Sequence, residues 1–168
     1  MKCNILGGLN MSKLFTPFKV KDLTIKNRII MPPMCMYSSD DTGHVKPWHY
    51  IHYTTRAIGQ VGLIIVEATA IEKRGRISDK DLGLWDDALV EGLAHLVEEV
   101  KKHDCGIGIQ LNHAGRKCGA QNEKIIAPSP IPFDESYKVP DEMTLDDIKK
   151  VVEAFAHAAK RANMPALI

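Results

Sequence analysis

The sequence predicts an α/β protein with a parallel sheet, and three observations support this fold class. Apolar segments with strand character alternate along the chain with segments of helical periodicity, as in proteins whose parallel strands are joined by right-handed crossovers. Residues 63–66 (Leu-Ile-Ile-Val) are continuously apolar, which is typical of a strand covered on both faces. The 168 residues suit a single domain.

The composition argues against several classes of protein. The chain has 22 Lys+Arg and 21 Asp+Glu residues and a net charge of +1, which argues against a nucleic-acid-binding surface. No apolar run reaches the ~18 residues of a membrane span. The cysteines, Cys3, Cys35, Cys105 and Cys118, form no CxxC pair and fit no zinc spacing. We therefore expect a cytoplasmic protein with reduced thiols and without nucleic-acid or membrane partners.

Local patterns predict a hairpin followed by three strand–helix units. Proline in the first turn and glycine after the last turn delimit the first helix, and one-sided apolar stripes define the other two. Thr144 and Asp147 have the spacing of a capping box at the start of the third helix. The predicted elements are the hairpin 18–25, the strand 28–31, the helix 47–58, the strand 63–66, a helix from Asp86 or Asp87, the strand 106–111 and a helix from 144 to about 163. Segments 70–85 and 113–142 are predicted as loops.

The third helix is followed by no recognisable strand. Its apolar stripe is expected to face the core and consists of Ile148, Val151, Val152, Phe155 and Ala159. A fourth strand is expected next, but residues 164–168 do not resemble one. Because a closed (β/α)8 barrel takes ~250 residues, the length suits about half of one.

Candidate functional residues lie where the predicted strands end, since active sites of parallel α/β proteins lie at the carboxyl ends of strands. Cys35 is either a small buried hydrophobe or, beside a histidine or a helix N-terminus, a reactive thiol. Gln110 alternates with Ile109 and Leu111. If those two residues face the helices, the Gln110 amide points into the barrel. There it either pairs with a planar ligand that has donors and acceptors or makes a local backbone hydrogen bond.

Other polar residues give weaker signals. Arg116 and Lys117 either neutralise an anionic cofactor or face solvent. His49 and His52 have an i, i+3 spacing in the first predicted helix, but no third ligand is evident, so we expect no metal site. The sequence has neither GxxxxGK[ST] nor GxGxxG after a strand, which argues against a Rossmann dinucleotide site.

Motifs in consecutive order resemble the old yellow enzyme family. The segment Pro32-Pro33-Met34-Cys35-Met36-Tyr37-Ser38 is similar to the bacterial branch that has a cysteine at this point. The other matching segments are 14–18, 23–31, 59–68, 109–117 and 125–129. The resemblance covers about residues 13–163 and implies the N-terminal half of an FMN-binding (β/α)8 TIM barrel, truncated to the hairpin and about three βα units. Residues 1–12 would be a loose extension and 164–168 a tail that does not match.

The resemblance implies an FMN-dependent ene-reductase with NADPH as the reductant and an activated, electrophilic alkene as the substrate. Ala68 would touch the flavin through its backbone, Gln110 would bond its pyrimidine edge, and Lys117 would be a structural or flavin-side cation. The implied cofactor-binding residues are Pro32, Pro33, Met34, Cys35, Ala68, Gln110 and Lys117.

The same resemblance implies two catalytic residues, Cys35 and Tyr37. Cys35 would lie near the reactive edge of the flavin and tune its redox potential, while Tyr37 would reach the substrate carbonyl. The family's paired histidines, a proton-donating tyrosine and the phosphate-binding loops come after the matching segment. We therefore expect this chain to be inactive alone. The alternative is a non-enzymatic half-barrel or gene relic that folds only with a complementary half, or as a homo-oligomer.

Overall fold

The computed structural model describes residues 12–164, so the expectations for residues 1–11 and 165–168 lie outside the described residues. Single 3-10 turns lie at Lys13–Phe15, Lys73–Gly75, Asp87–Leu89 and Gly115–Lys117. The regular elements, in chain order, are β1 (Phe18–Val20), β2 (Leu23–Ile25), β3 (Ile30–Met31), α1 (Pro47–Ile58), β4 (Leu63–Ala70), β5 (Leu82–Gly83), α2 (Val90–Lys101), β6 (Gly106–Asn112), β7 (Ile126–Ala127), β8 (Asp141–Glu142) and α3 (Leu145–Asn163).

The main sheet is parallel and has β4 at its centre, as the sequence predicts. β3 pairs with β4 at Leu63 and Ile64, and β5 pairs with it at Thr69 and Ala70. β6 pairs with the same four residues of β4 and therefore lies along its other edge. β1 and β2 form the expected antiparallel hairpin. All strands of the main sheet thus end at one edge, where a site is expected.

The core lies between the sheet and the helices α1 and α2. The stripe predicted on α2 is confirmed, since all of its members are almost fully buried: Leu89, Leu93, Leu96, Val97 and Val100. On α1 the buried side chains include Tyr53 and Ala57, which pack in the same cluster as Ile64 and Val66 of β4. The capping box at the start of α3 is also confirmed, with the Asp147 amide donating to Thr144 Oγ1 at 3.1 Å.

The burial predicted for α3 is wrong for most of the stripe, although Val151 packs against the core. Ile148 is 46% exposed, Val152 63% and Phe155 36%, whereas Ala158 and Ala162 are the buried residues of this helix. α3 packs on the rest of the chain through Val151, Ala154, Ala158 and Ala162, and the described part of the chain leaves three of its larger apolar side chains exposed. We call Ile148, Val152 and Phe155 the α3 face. The edge of β6 away from β4 likewise has no strand partner among residues 12–164.

Four predictions of element bounds need correction, and one of them is the segment 70–85, predicted as a loop, which contains β5 (Leu82–Gly83). The strand predicted at 28–31 is shorter and spans Ile30–Met31, whereas β4 continues beyond residue 66 to Ala70. Glu67 interrupts the apolar run, but it is only 1% exposed and lies inside the strand. The segment predicted as a loop at 113–142 contains β7 and β8, which pair in parallel with each other.

Candidate functional site

The candidate site lies at the carboxyl ends of β3, β4 and β6. Residues 32–37 follow β3 directly, Ala68 belongs to β4, and Gln110 belongs to β6. The ladder between β4 and β6 pairs Val66 with Ile109 and then Thr69 with Leu111. Three steps along β4 therefore match two along β6, which is a β-bulge. Gln110 consequently lies beside the bulge that contains Ala68.

Cys35 contacts two other predicted site residues. Its thiol interacts with the backbone of Ala68 and with the side chain of Tyr37. Burial raises the pKa of the Cys35 thiol, and the carboxylates of Asp81 and Glu67 raise it further. The group is therefore an S–H at neutral pH, a weak donor rather than the thiolate that nucleophilic chemistry requires.

Tyr37 is 46% exposed and has a φ of +51°, in the left-handed region that bulky residues rarely adopt. Desolvation raises the pKa of its hydroxyl, and the neighbouring Cys35 and Asp81 add to the shift. The hydroxyl therefore keeps its proton at neutral pH and is a hydrogen-bond donor. The next amide back along the chain, that of Met36, donates to Glu67 Oε2 at 2.8 Å.

Gln110 points away from the helices, as its alternation with Ile109 and Leu111 predicts. Those two residues pack against the main core, whereas Gln110 is exposed on the opposite face of β6. Within the described residues its side chain makes no hydrogen bond, so the local backbone bond considered above is not formed. An unpartnered amide on the strand next to Ala68, whose backbone interacts with the Cys35 thiol, fits a planar heterocycle with donor and acceptor atoms, such as the flavin of FMN.

The remaining predicted site residues are placed differently. Pro32 and Met34 are exposed and Pro33 is half-buried, all on the segment after β3. Lys117 lies farther along the chain, with its Nζ 4.0 Å from the centre of the Phe133 ring. The structure thus gives Lys117 a cation–π partner and records no contact between it and the Cys35–Tyr37 segment.

Sequence reasoning missed the polar residues that hold the loops in place. His113 Nε2 lies 2.7 Å from Glu72 Oε1, and its Nδ1 accepts from the Gly115 amide at 3.1 Å. Gly115 has a φ of +55°, and a Cβ on Gly75 would lie 2.8 Å from the His113 ring. These requirements set the course of the chain after β6. The sequence features that could have indicated this arrangement are Gly75, Gly115 and a histidine, His113, directly after a strand.

The helices and polar clusters of the described residues add three findings. No helix within residues 12–164 is long and apolar enough to cross a membrane. His49 and His52 lie in α1 as predicted and are both buried. In the part of the chain that the structure describes, no three His, Cys, Asp or Glu side chains are grouped so that they could hold a metal ion.

Comparisons with known proteins identify the family. Residues 13–166 match the profile of the NADH:flavin oxidoreductase / NADH oxidase family. The chain is 60% identical over 152 residues to an NADPH dehydrogenase of Bacillus velezensis. The aligned region covers 90% of this chain and 45% of that protein. Morphinone reductase superimposes with a TM-score of 0.83 and 28% identity, over 94% of this chain and 47% of its own. For an old yellow enzyme from Pichia the TM-score is 0.85 at 27% identity, over 93% of this chain and 44% of its own.

These matches confirm the expected fold class and bear on the cofactor. The neighbours are old yellow enzyme TIM barrels, and this chain spans a little under half of their length. The family profile supports FMN as the cofactor, and the relatives' names support a nicotinamide nucleotide as the reductant. The chain belongs to the NADH:flavin oxidoreductase / NADH oxidase family, that of old yellow enzyme, and corresponds to the N-terminal part of its barrel.

Proposed function

We propose that this chain supplies one flavin-binding wall of an FMN-dependent NADPH oxidoreductase that reduces the C=C bond of activated alkenes. The observation that supports the proposal is the meeting of the Cys35 thiol, the Tyr37 phenol and the Ala68 backbone beside the unpartnered Gln110 amide. The chemistry that FMN would supply when held by these residues is the transfer of a hydride from NADPH to the β-carbon of the alkene, and the proton for the α-carbon would come from the family's proton-donating tyrosine beyond the matching segment.

Each residue of this wall would do what its geometry allows. The Gln110 amide would bond the pyrimidine edge, because an amide offers one acceptor and two donors. Pro32, Pro33 and Met34 would pack against the ring system. The protonated thiol of Cys35 would give a weak S–H contact near the reactive edge. Lys117 would need to leave the Phe133 ring to act on the flavin side.

Tyr37 would orient the substrate. Its hydroxyl is a proton donor on the exposed side of the segment after β3, and it would hydrogen-bond the carbonyl oxygen of an enone. Such a bond polarises the alkene and strengthens as negative charge develops on that oxygen. The substrate class therefore requires a carbonyl or a similar acceptor conjugated to the double bond.

A second candidate concerns the state in which the chain works. The α3 face and the outer edge of β6 offer uncovered apolar side chains and unpaired backbone groups to a partner. We propose that a complementary C-terminal half of the barrel covers both surfaces, because one parallel strand and its helix would satisfy them together. Without that half, the chain would be non-enzymatic, and it would associate with copies of itself.

Reconstitution tests these proposals. The 168-residue chain is titrated with FMN alone and after co-expression with the part of the B. velezensis relative that lies beyond the match. We expect FMN binding and NADPH oxidation with 2-cyclohexenone only in the paired sample. Absence of flavin from a well-folded pair would contradict the flavin site, and steady turnover by the chain alone would contradict the need for a partner.

A further inference from the structure

Glu67 is a buried carboxylate directly beneath the Cys35–Tyr37 segment. It is 1% exposed and lies in the bulge of β4, between Val66 and Thr69. Val66 packs in the core and Glu67 contacts α1, so the bulge lets two successive residues face the helices. The carboxylate therefore lies behind the candidate site rather than in it, and no role in the proposed chemistry has yet been given to it.

The carboxylate receives hydrogen bonds from both sides. From the segment after β3, the Met36 amide donates to Oε2 at 2.8 Å, and the neighbouring Tyr37 amide helps to lower the pKa of the carboxylate. From α1, the Tyr53 hydroxyl donates to Oε1 at 3.2 Å. The same hydroxyl accepts from the Glu67 amide at 2.9 Å, which directs its proton toward the carboxylate.

His49 faces the carboxylate without a hydrogen bond to it. Its Nδ1 accepts from the Lys46 amide at 2.9 Å, so the proton of the neutral ring is on Nε2. Burial lowers the pKa of His49 and keeps the ring neutral. Nε2 faces Glu67 Oε1 at 3.6 Å and has no hydrogen-bond partner. Burial raises the pKa of Glu67, and the nearby Asp81 adds to the rise, while the hydrogen bonds from the Met36 amide and the Tyr53 hydroxyl act in the opposite direction.

We propose that Glu67 is the positioning residue of the candidate site: its carboxylate fixes the Met36 amide, directly before Tyr37, and thereby holds the Tyr37 phenol against the Cys35 thiol. The inference deepens the proposed function, because these are the groups assigned to flavin and substrate. Its physical basis is the φ of +51° at Tyr37, a conformation that persists in a non-glycine residue only where other contacts enforce it. The hydrogen bond from the Met36 amide, directly before Tyr37, to a buried carboxylate provides such a contact.

Amide hydrogen exchange tests the proposal directly. It is followed by mass spectrometry on peptides of the full 168-residue chain, without flavin. In Glu67→Gln we expect the amides of Met36 and Tyr37 to exchange roughly 10- to 100-fold faster, since hydrogen bonds to a charged group are lost. Glu72→Gln is the matched control, because Glu72 binds His113 and not this segment. It should leave exchange of Met36 and Tyr37 unchanged.

A second pair of variants keeps the test decisive if Glu67→Gln does not fold. Tyr53→Phe removes one anchor of the carboxylate while leaving its charge, and it should accelerate exchange of the Met36 and Tyr37 amides by about tenfold. Tyr50→Phe is its control on the same helix, because the Tyr50 hydroxyl bonds the Gly92 carbonyl instead.

The pH profile of Cys35 alkylation separates positioning from a general loss of stability. Cys35 is faced by Glu67 from β4, by Asp81 from the loop before β5, and by Tyr37 from its own segment. Removing the charge of Glu67 lowers the pKa of the thiol, so the alkylation profile should move to lower pH in Glu67→Gln. In Tyr53→Phe the charge remains, and the profile should stay where it is.

Unchanged exchange of the Met36 and Tyr37 amides in both Glu67→Gln and Tyr53→Phe would overturn the proposal. These readouts need no flavin. Failure of FMN to bind would therefore count against the proposed function and leave the positioning role standing. Faster exchange in the two variants with normal exchange in the two controls would support that role.

Discussion

Replacing Gln110 tests the assignment of the flavin edge. Gln110→Ala removes an exposed side chain that makes no hydrogen bond within the described residues, so we expect the stability of the unliganded protein to be nearly unchanged. In the complex, the loss leaves polar atoms of the ligand edge unpaired, at a cost of roughly 1–3 kcal/mol. The FMN dissociation constant should therefore rise by a factor of roughly 5 to 150.

The assay is quenching of flavin fluorescence on titration of the reconstituted protein with FMN. Gln121→Ala is the matched control, because Gln121 is an exposed glutamine on a different loop, and it should bind FMN like the parent. Equal dissociation constants for the parent, Gln110→Ala and Gln121→Ala would refute the argument that the unpartnered amide faces the flavin.

The remaining predictions concern redox tuning, pH and packing. Cys35→Ala should keep FMN and turnover while redox titration shows a shifted flavin potential; loss of turnover with a flavin that NADPH still reduces would exclude the tuning role. Burial lowers the pKa of His49 and His52 below 6.5, so unfolding takes up protons in acid. The free energy of unfolding should therefore be highest above pH 6.5 and decrease below that pH, by up to about 1.4 kcal/mol per pH unit for each histidine. Urea unfolding at pH 7 and pH 5 measures this difference. Leu96→Ala should cost about 2–5 kcal/mol and Val152→Ala under about 0.5 kcal/mol in the same assay of the unpaired chain; equal costs would contradict the exposed α3 face.

The sequence predicts the parts of this fold that local patterns determine. The α2 stripe and the capping box of Thr144 and Asp147 depend on spacing along one helix, and both are confirmed. The strand that contains Glu67 is predicted too short, because a glutamate in an apolar run indicates the end of a strand. Its burial depends on donors from Met36 and Tyr53, which are distant in sequence.

In the candidate site, too, features that depend on local patterns are predicted and features that depend on distant contacts are not. The direction of Gln110 follows from simple alternation along β6, and the structure agrees with it. The cation–π contact of Lys117 involves Phe133, across a segment without periodicity, and no sequence pattern indicates it. The exposure of the α3 face was not predictable for the same reason. Periodicity shows that a stripe of the helix is apolar, but it does not show which part of the protein covers that stripe.

The most direct test of the central claim is flavin reduction in the reconstituted protein. The chain, paired with the C-terminal part of the B. velezensis relative, is loaded with FMN and mixed with NADPH without oxygen, while the absorbance of the oxidised flavin is followed. We expect the absorbance to bleach and then to return when 2-cyclohexenone is added. A folded pair that contains FMN but neither bleaches with NADPH nor recovers with the enone would contradict the account.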